Sequence, residues 1–283
     1  MRYLILGGDE RNFYLYKLLK DEGADVQMTG FDHERENLTE VSAAVAAAEI
    51  IMAPIPFSKG QIVNTPFHQA EIPMKEIFSA AHPNQIMIGG RFSHDALQFA
   101  KEAGVQAFDI LEQEEMAVLN AIPTAEGAVQ IAMENTKITI HDSHILVMGF
   151  GRIGKILSKI LLGIGAKVSV SARKGDDLAF IRAFGCRAVS YEKLPDILGQ
   201  MDIIINTVPN VILDKSKLGL LRPDVLVIEL ASKPFGIDAV ESRKAGVNVL
   251  FAPSLPGKAA PLTAARYIRQ TMENILREAR EAG

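Results

Sequence analysis

With one cysteine in 283 residues, Cys186, the chain has no partner for an internal disulfide and no multi-cysteine metal site. Cys186 precedes the short run RAVSY, where it reads as a buried, inert thiol rather than a nucleophile. Dense runs of one charge are also missing. The 30 basic and 34 acidic side chains are interspersed and leave a net charge of −4, so no basic stripe suits nucleic acid. No apolar stretch approaches the roughly 20 residues of a membrane span. The opening MRYLILGG has too short an apolar run, and no cleavage region, for a signal peptide. A soluble, cytoplasmic globular protein is the expectation, with neither membrane nor nucleic acid among its partners.

What is present is alternation. Short apolar runs at Tyr3–Leu6, Asp25–Met28, Ile50–Ala53, Gln85–Ile88 and Val105–Phe108 read as strands. Asn12–Glu22, Leu38–Ala48, Pro73–Ala80 and His94–Ala103 between them have helical spacing. The pattern repeats with strands at Ile145–Gly149, Lys167–Ser171, Arg187–Ser190, Asp202–Asn206, Val225–Leu230 and Val247–Phe251. Runs such as IIIN and VLVIEL suit strands covered by helices on both faces. The fold class is therefore α/β, with two doubly wound parallel-sheet domains, Rossmann-type in the second half and flavodoxin-like in the first.

Two helical segments stand apart, Thr124–Thr136 between the halves and Pro256–Ala282 at the end. The terminal helix is expected to pack back on the first domain. That gives a discontinuous domain of residues 1–123 plus 262–283, and a nucleotide domain of residues 124–261 that includes the linker helix. An interdomain cleft at the carboxyl ends of the strands is the expected place for chemistry.

HILVMGFGRIGKILSKILLGIGAKV supplies strand, Gly149-x-Gly151-x-x-Gly154, helix and strand. Gly149 permits the tight turn, Gly151 lets the backbone approach a pyrophosphate, and Gly154 brings the helix close to the strand. Arg152 and Ile153 lie in the helix's first turn, whose N–H groups and dipole favour an anion. In the commonest version the next strand ends on an acidic residue that binds the ribose 2′-hydroxyl of NAD. Here it ends on Ser171, Ala172, Arg173 and Lys174. One hydroxyl and two cations suit a 2′-phosphate, so the predicted cofactor is NADP, contacted by Ser171, Arg173 and Lys174. A solvated basic turn is the bland alternative. The loops Asn206–Pro209 (Asn206, Thr207, Val208, Pro209) and Ala231–Ser232 should face the nicotinamide half, although Asn206 also suits a plain strand-end turn. The first half opens on its own glycine turn, LILGGDER. It lacks the third glycine, and Asp9 and Glu10 would oppose a phosphate there, so it reads as a structural or substrate-side loop.

Several stretches together resemble one family, the A subunits of dipicolinate synthase from spore-forming bacteria. They are GGDERNFYLYKLLKDEGADVQMTGFD (Gly7–Asp32), APIPF (Ala53–Phe57), IPTAEGAVQIAME (Ile122–Glu134), GFGRIGK (Gly149–Lys155), ELASKPFGID (Glu229–Asp238) and PSLPGKAAPLTAARYI (Pro253–Ile268). The glycine fingerprint is shared with many dehydrogenases, whereas GGDxR, PTAEGA and LPGKxAP in combination are far more specific. The resemblance implies a dehydrogenase late in the lysine branch of aspartate metabolism. It would act on the cyclic dihydrodipicolinate, or on the hydroxylated tetrahydro form that loses water to give it, to make the pyridine dicarboxylate of spores. It further implies partnership with a flavoprotein-like B subunit, in the mother-cell cytoplasm during sporulation. A homo-oligomer is also expected.

That chemistry asks little of the protein. Loss of a hydride and a proton makes the ring aromatic, so placement against the nicotinamide and acceptance of a proton suffice, without a metal. Two substrate carboxylates require cations or N–H donors. Lys258 in LPGKAAP, Arg91 in IGGRFSH and Lys59 in PFSKG follow candidate strands and are candidate anchors, each also readable as a solvated charge. Thr124 and Glu126, at an expected helix start in PTAEG, serve either as N-cap and dipole partner or as carboxylate contact and proton acceptor. His94 near a helix start reads as structural. Two other readings stay open, another two-domain NADP-dependent small-acid dehydrogenase of shikimate or amino-acid type, and a non-catalytic NADPH-binding subunit.

Overall fold

The structure, a computed structural model, describes residues 1–32, 37, 38 and 40–281. In chain order the first strands are β1 (Arg2–Leu6), β2 (Asp25–Thr29), β3 (Asn37–Leu38), β4 (Ile50–Met52), the antiparallel hairpin β5 (Ser58–Lys59) and β6 (Ile62–Val63), β7 (Ile86–Gly89) and β8 (Gln106–Asp109). Helices α1 (Glu10–Asp21), α2 (Val41–Ala47), α3 (Met74–Ala80) and α4 (His94–Glu102) lie between them, and α5 (Glu114–Asn135) follows. The second series is β9 (His144–Met148), α6 (Arg152–Ile164), β10 (Lys167–Ala172), α7 (Gly175–Ala183), β11 (Arg187–Ser190), α8 (Pro195–Leu198), β12 (Ile203–Asn206), α9 (Lys215–Leu218), β13 (Leu226–Glu229), α10 (Ala239–Lys244), β14 (Asn248–Phe251) and α11 (Leu255–Ala259). The long α12 (Pro261–Glu281) ends the described chain.

Both sheets are parallel and share one winding. The first runs β3-β2-β1-β4-β7-β8 and the second β11-β10-β9-β12-β13-β14. Apart from the two-residue edge strand β3, the first has the flavodoxin order expected from sequence; β3 extends it to the order of the second. Two compact units result, Met1–Asn120 with Ala260–Gly283, and Ala121–Ala259.

The continuous apolar strands are explained by burial on both faces. Ile203 and Ile205 enter one core layer with α5 and α6, while Ile204 enters the opposite layer with Leu194, Ile197 and Leu198. Within the first unit, α12 packs against α1. Its Ala265, Ile268, Met272, Ile275 and Leu276 join Ile5, Leu15, Leu19 and Met28 in one cluster. Each fully buried Ile, Leu or Met of that stripe contributes about 1.5–3 kcal/mol of transfer free energy, which holds the chain's end in place.

Three expectations about helices need correction. Leu38 belongs to β3 rather than to the helix that follows, and Thr39 lies outside the described residues. The terminal segment is two helices, α11 and α12, separated at Ala260 just before Pro261. Proline suits the first turn of a new helix and breaks a continuing one. Ala282 lies outside the described residues. The largest difference is α5, which starts at Glu114 and carries Pro123 in its interior. Thr124 is therefore no N-cap and Glu126 no first-turn acid. Ala121 before the proline and Ala125, Ala128, Val129 and Ala132 after it are buried on one helical face, while Met116 is buried in the core of the first unit. Packing of that face outweighs the hydrogen bond that Pro123 removes.

Candidate nucleotide site

The strand β9 leads into Gly149 at φ 97°, a conformation that glycine adopts without strain. A side chain there would also meet Thr207 Oγ1 and Val208 Cγ2, each 2.6 Å from the added carbon. At Gly154 a Cβ would lie 2.1 Å from the Gly149 carbonyl oxygen, so this glycine brings α6 against the turn. Gly151 differs from both. Its φ of −80° is open to any residue, and none of the described residues lies within 4 Å of a Cβ built there. Packing within the chain gives no reason for glycine at 151; close approach of a ligand does. Gly151 is also the N-cap of α6, with no capping side chain and no acidic residue in the first turn. The positive end of a 13-residue helix thus carries no capping side chain at its N-cap position.

At the end of β10, Ser171 is fully buried and its Oγ has no hydrogen-bond partner. Strand alternation explains this: Val168, Val170 and Ala172 line the core layer shared with α6, and Ser171 points to the other face. Its hydroxyl is not available to a phosphate. Arg173 and Lys174 are exposed. Burial pushes the Tyr191 phenol above its ordinary range, with the Arg173 charge acting in the opposite direction.

The loops after β12 and β13 are joined. Asn206 is fully buried; its Nδ2 donates to the Val208 carbonyl at 2.9 Å and to Glu229 Oε1 at 2.7 Å, and its Oδ1 accepts from Val208 N at 3.1 Å. The side chain is fully used inside the protein, which gives it the turn role rather than a direct cofactor contact. Thr207 Oγ1 donates to the Met148 carbonyl at 2.8 Å. Thr207, Val208 and Ala231 are half-buried, and Pro209 and Ser232 exposed. Glu229 was not singled out in the sequence. It accepts from Ala231 N and Gly236 N, both at 2.9 Å, besides Asn206. Burial pushes its carboxyl above the ordinary glutamate range, with those donors acting in the opposite direction. The available signal was a carboxylate closing the apolar strand VLVIE.

The first unit's glycine turn has the same start and another outcome. Gly7 and Gly8 have φ of 53° and 96°. Asp9 caps α1 by accepting from Arg11 N at 3.1 Å, and its carboxylate is held by Arg11 Nε and Nη2, both at 2.9 Å. Arg11, buried, also donates to the Ile55 carbonyl at 2.8 Å. Over the turn lies the chain itself. Gly8 N donates to the Asn64 carbonyl at 3.0 Å, and a Cβ at Gly7 would sit 2.4 Å from Thr65 Cγ2.

Of the other candidates, Lys59 and Arg91 are exposed in the first unit, Lys59 in the β5–β6 hairpin and Arg91 at φ 54° after β7. In the second unit Thr124 is buried within α5, and Glu126 is exposed. Lys258 is exposed on α11. A Cβ at Gly127 would lie 3.0 Å from Ala259 Cβ, so α5 and α11 pack closely and the turn of α5 carrying Glu126 runs beside the helix of Lys258. Among the described residues no helix is long and apolar enough to cross a membrane.

Comparison with known proteins follows this division. The family model for the N-terminal domain of the dipicolinate synthase A subunit matches residues 2–111. The model described as "D-isomer specific 2-hydroxyacid dehydrogenase, NAD binding domain" matches residues 104–233. The dipicolinate synthase A subunit of Bacillus subtilis (strain 168) is 30% identical over 286 residues, 98% of this chain and 96% of that protein. The crystal structure of the same synthase component from Bacillus halodurans superposes with a TM-score of 0.89 at 29% identity, covering 97% of each chain. The A chain of dipicolinate synthase from Bacillus subtilis gives 0.88 at 28% identity, over 100% of this chain and 98% of the other.

Proposed function

The chain belongs to the family of dipicolinate synthase A subunits and is an oxidoreductase of the dehydrogenase type, and on that premise we propose that it oxidises dihydrodipicolinate to dipicolinate with NADP. The dihydropyridine loses a hydride from one ring carbon and a proton from another, giving dipicolinate, NADPH and H⁺. The observation that carries the reading is the Gly151 turn at the α6 N-terminus, beside a strand that Arg173 and Lys174 follow. Bound there, NADP supplies the hydride acceptor.

The chain's own residues have three tasks. The Gly149–Gly154 turn and the first turn of α6 hold the pyrophosphate, and Gly151 lets it approach the backbone. Arg173 and Lys174 neutralise the 2′-phosphate, Arg173 with a planar fork suited to bidentate contact. Lys258 is assigned to one substrate carboxylate, with Arg91 and Lys59 as the other candidate anchors, and exposed Glu126 to the departing proton. Partnership with a B subunit, in the mother cell of a sporulating bacterium, completes the reading, together with a homo-oligomeric state.

The test supplies enzymatically generated cyclic substrate with NADP or NAD and follows reduced nicotinamide absorbance, with and without the B subunit. Turnover with NADP preferred is the expected result. A chain that binds NADPH tightly yet stays silent with its partner present is a nucleotide-sensing subunit instead. Equal affinity for NAD and NADP removes the 2′-phosphate assignment.

A further inference from the structure

Asn206 and Glu229 end neighbouring strands and are register partners across β12 and β13. Both side chains are buried, and Glu229 is only 1% exposed. Its Oε1 accepts from Asn206 Nδ2 and Ala231 N, and its Oε2 from Gly236 N, so one carboxylate closes the loop between residues 231 and 236 from beneath. Asn206 uses its remaining groups on Val208, which extends the same network into the neighbouring loop. Gly236 is pressed onto it: a Cβ there would lie 2.2 Å from Asn206 Nδ2 and 2.6 Å from the Val208 carbonyl oxygen. Phe235, next to it, is held at φ 71°, a conformation that a bulky residue adopts only when its surroundings impose it. Its ring packs edge-on against Phe251 at 5.1 Å.

A charge at the apolar end of a sheet is a costly way to hold two loops together, since a buried carboxylate must recover its lost hydration from donors. Glu229 does so with backbone N–H groups that a neutral amide could not all satisfy. The network also lies on one side of the point between β9 and β12 where the strand order reverses. From β10, which carries Arg173 and Lys174 at its end, to β13 is three strand spacings, about 14 Å. That is out of reach of the adenosine half of a dinucleotide bound at β9 and β10, and on the side of its nicotinamide half.

We propose that Glu229 is a positioning residue that sets the shape of the two loops bordering the nicotinamide, so that it governs binding of that half of the cofactor and leaves the adenosine half unaffected. The inference rests on the NADP reading above. Glu229 itself touches neither cofactor nor substrate.

The experiment titrates NADPH and the fragment 2′,5′-ADP against the wild-type chain, Glu229→Gln and Glu229→Asp, with thermal melting as the check of fold. Glutamine turns an amide NH2 toward either Gly236 N or the pair Asn206 Nδ2 and Ala231 N, setting donor against donor. Glu229→Gln is expected to weaken NADPH roughly ten- to a hundredfold, as for lost hydrogen bonds to a charged group, and to leave 2′,5′-ADP within about twofold. Glu229→Asp keeps the charge but is a methylene too short to bridge Asn206 and Gly236, and gives the same split with a smaller size. It also serves as the test if the glutamine variant does not fold. Unchanged NADPH affinity in the folded variants, or an equal loss for nucleotide and fragment, overturns the proposal. A wild-type chain that binds neither NADPH nor 2′,5′-ADP overturns the NADP reading, and this inference with it.

Discussion

Leu6 through Asp9 and Met148 through Gly151 use the same device, a parallel strand passing through a positive-φ glycine into a helix, for two purposes. In the first unit the helix end is satisfied from within, by the Asp9 carboxylate and its Arg11 clamp, and the Asn64–Thr65 segment lies over the turn. In the second unit α6 begins on a glycine with no side-chain cap, and none of the described residues lies within 4 Å of a Cβ at Gly151. The topology cannot tell these apart, because the two sheets share one winding. Occupancy of the helix N-terminus can. A carboxylate of the chain's own uses the anion site that a phosphate would need.

The largest effect should come from filling the open turn. The Cβ of Gly151→Val has no described residue within 4 Å, so melting should stay close to wild type. NADPH affinity is expected to drop at least about 100-fold, because the side chain stands where a pyrophosphate must approach. Titration and melting on the same sample check both halves; retained binding would place the nucleotide elsewhere.

The mirror experiment in the first unit should reverse the pattern. Asp9→Ala leaves buried Arg11 without its counter-charge and α1 without its cap. A loss of about 3 kcal/mol in denaturant unfolding is expected, with NADPH affinity of the folded protein unchanged. A nucleotide affinity that falls in parallel would mean that the first turn, too, serves the cofactor.

Next in size is Lys258→Ala, expected to lower kcat/KM for the dihydropyridine roughly 100-fold through lost positioning while NADP affinity holds. Lys258→Arg should recover only part, since a planar fork is no substitute for a compact ammonium. Turnover at the wild-type rate moves the carboxylate anchor to the first unit, with Arg91 the residue to change. A smaller and more selective effect belongs to Arg173→Ala. Losing one charge-assisted contact should weaken NADP roughly ten- to a hundredfold and leave NAD as it was, which paired titrations would read directly.

The smallest effect is a pH dependence confined to the second unit. Glu229 has a folded-state pKa above its ordinary value, with burial the cause, so the folded chain holds that proton more tightly than the unfolded one. Its contribution to stability is then greatest below the unfolded value and is lost as pH rises through the folded one. Between those values, acidification should stabilise the wild type relative to Glu229→Gln. Urea midpoints measured across that range supply the comparison, and parallel curves for the two proteins would exclude the effect.

Much of this was legible locally. Strand positions followed from runs such as IIIN, and the roles of Gly149 and Gly154 from their spacing alone. Both depend on periodicity and turn chemistry, which act over a few residues. Ser171 shows where such reading stops. Its place near a strand end made it a phosphate ligand by sequence, but which face a strand-end side chain takes is set by what the sheet packs against, and here the hydroxyl is internal. PTAEG has the composition of a helix start, yet α5 passes through it because the buried face on either side of Pro123 outweighs one missing hydrogen bond.

The sequence by itself determined the fold class, the glycine turn of the nucleotide unit and the cationic end of its second strand, since each is written in neighbouring residues. Tertiary structure alone decided that the first glycine turn is covered by Asn64 and Thr65, and that Asn206 and Glu229 share a buried network. Asn206 and Glu229 stand 23 residues apart in the chain, and Gly8 and Asn64 farther still. No local pattern encodes which groups meet once helices have brought distant strands side by side, because that is settled by the packing of the whole sheet.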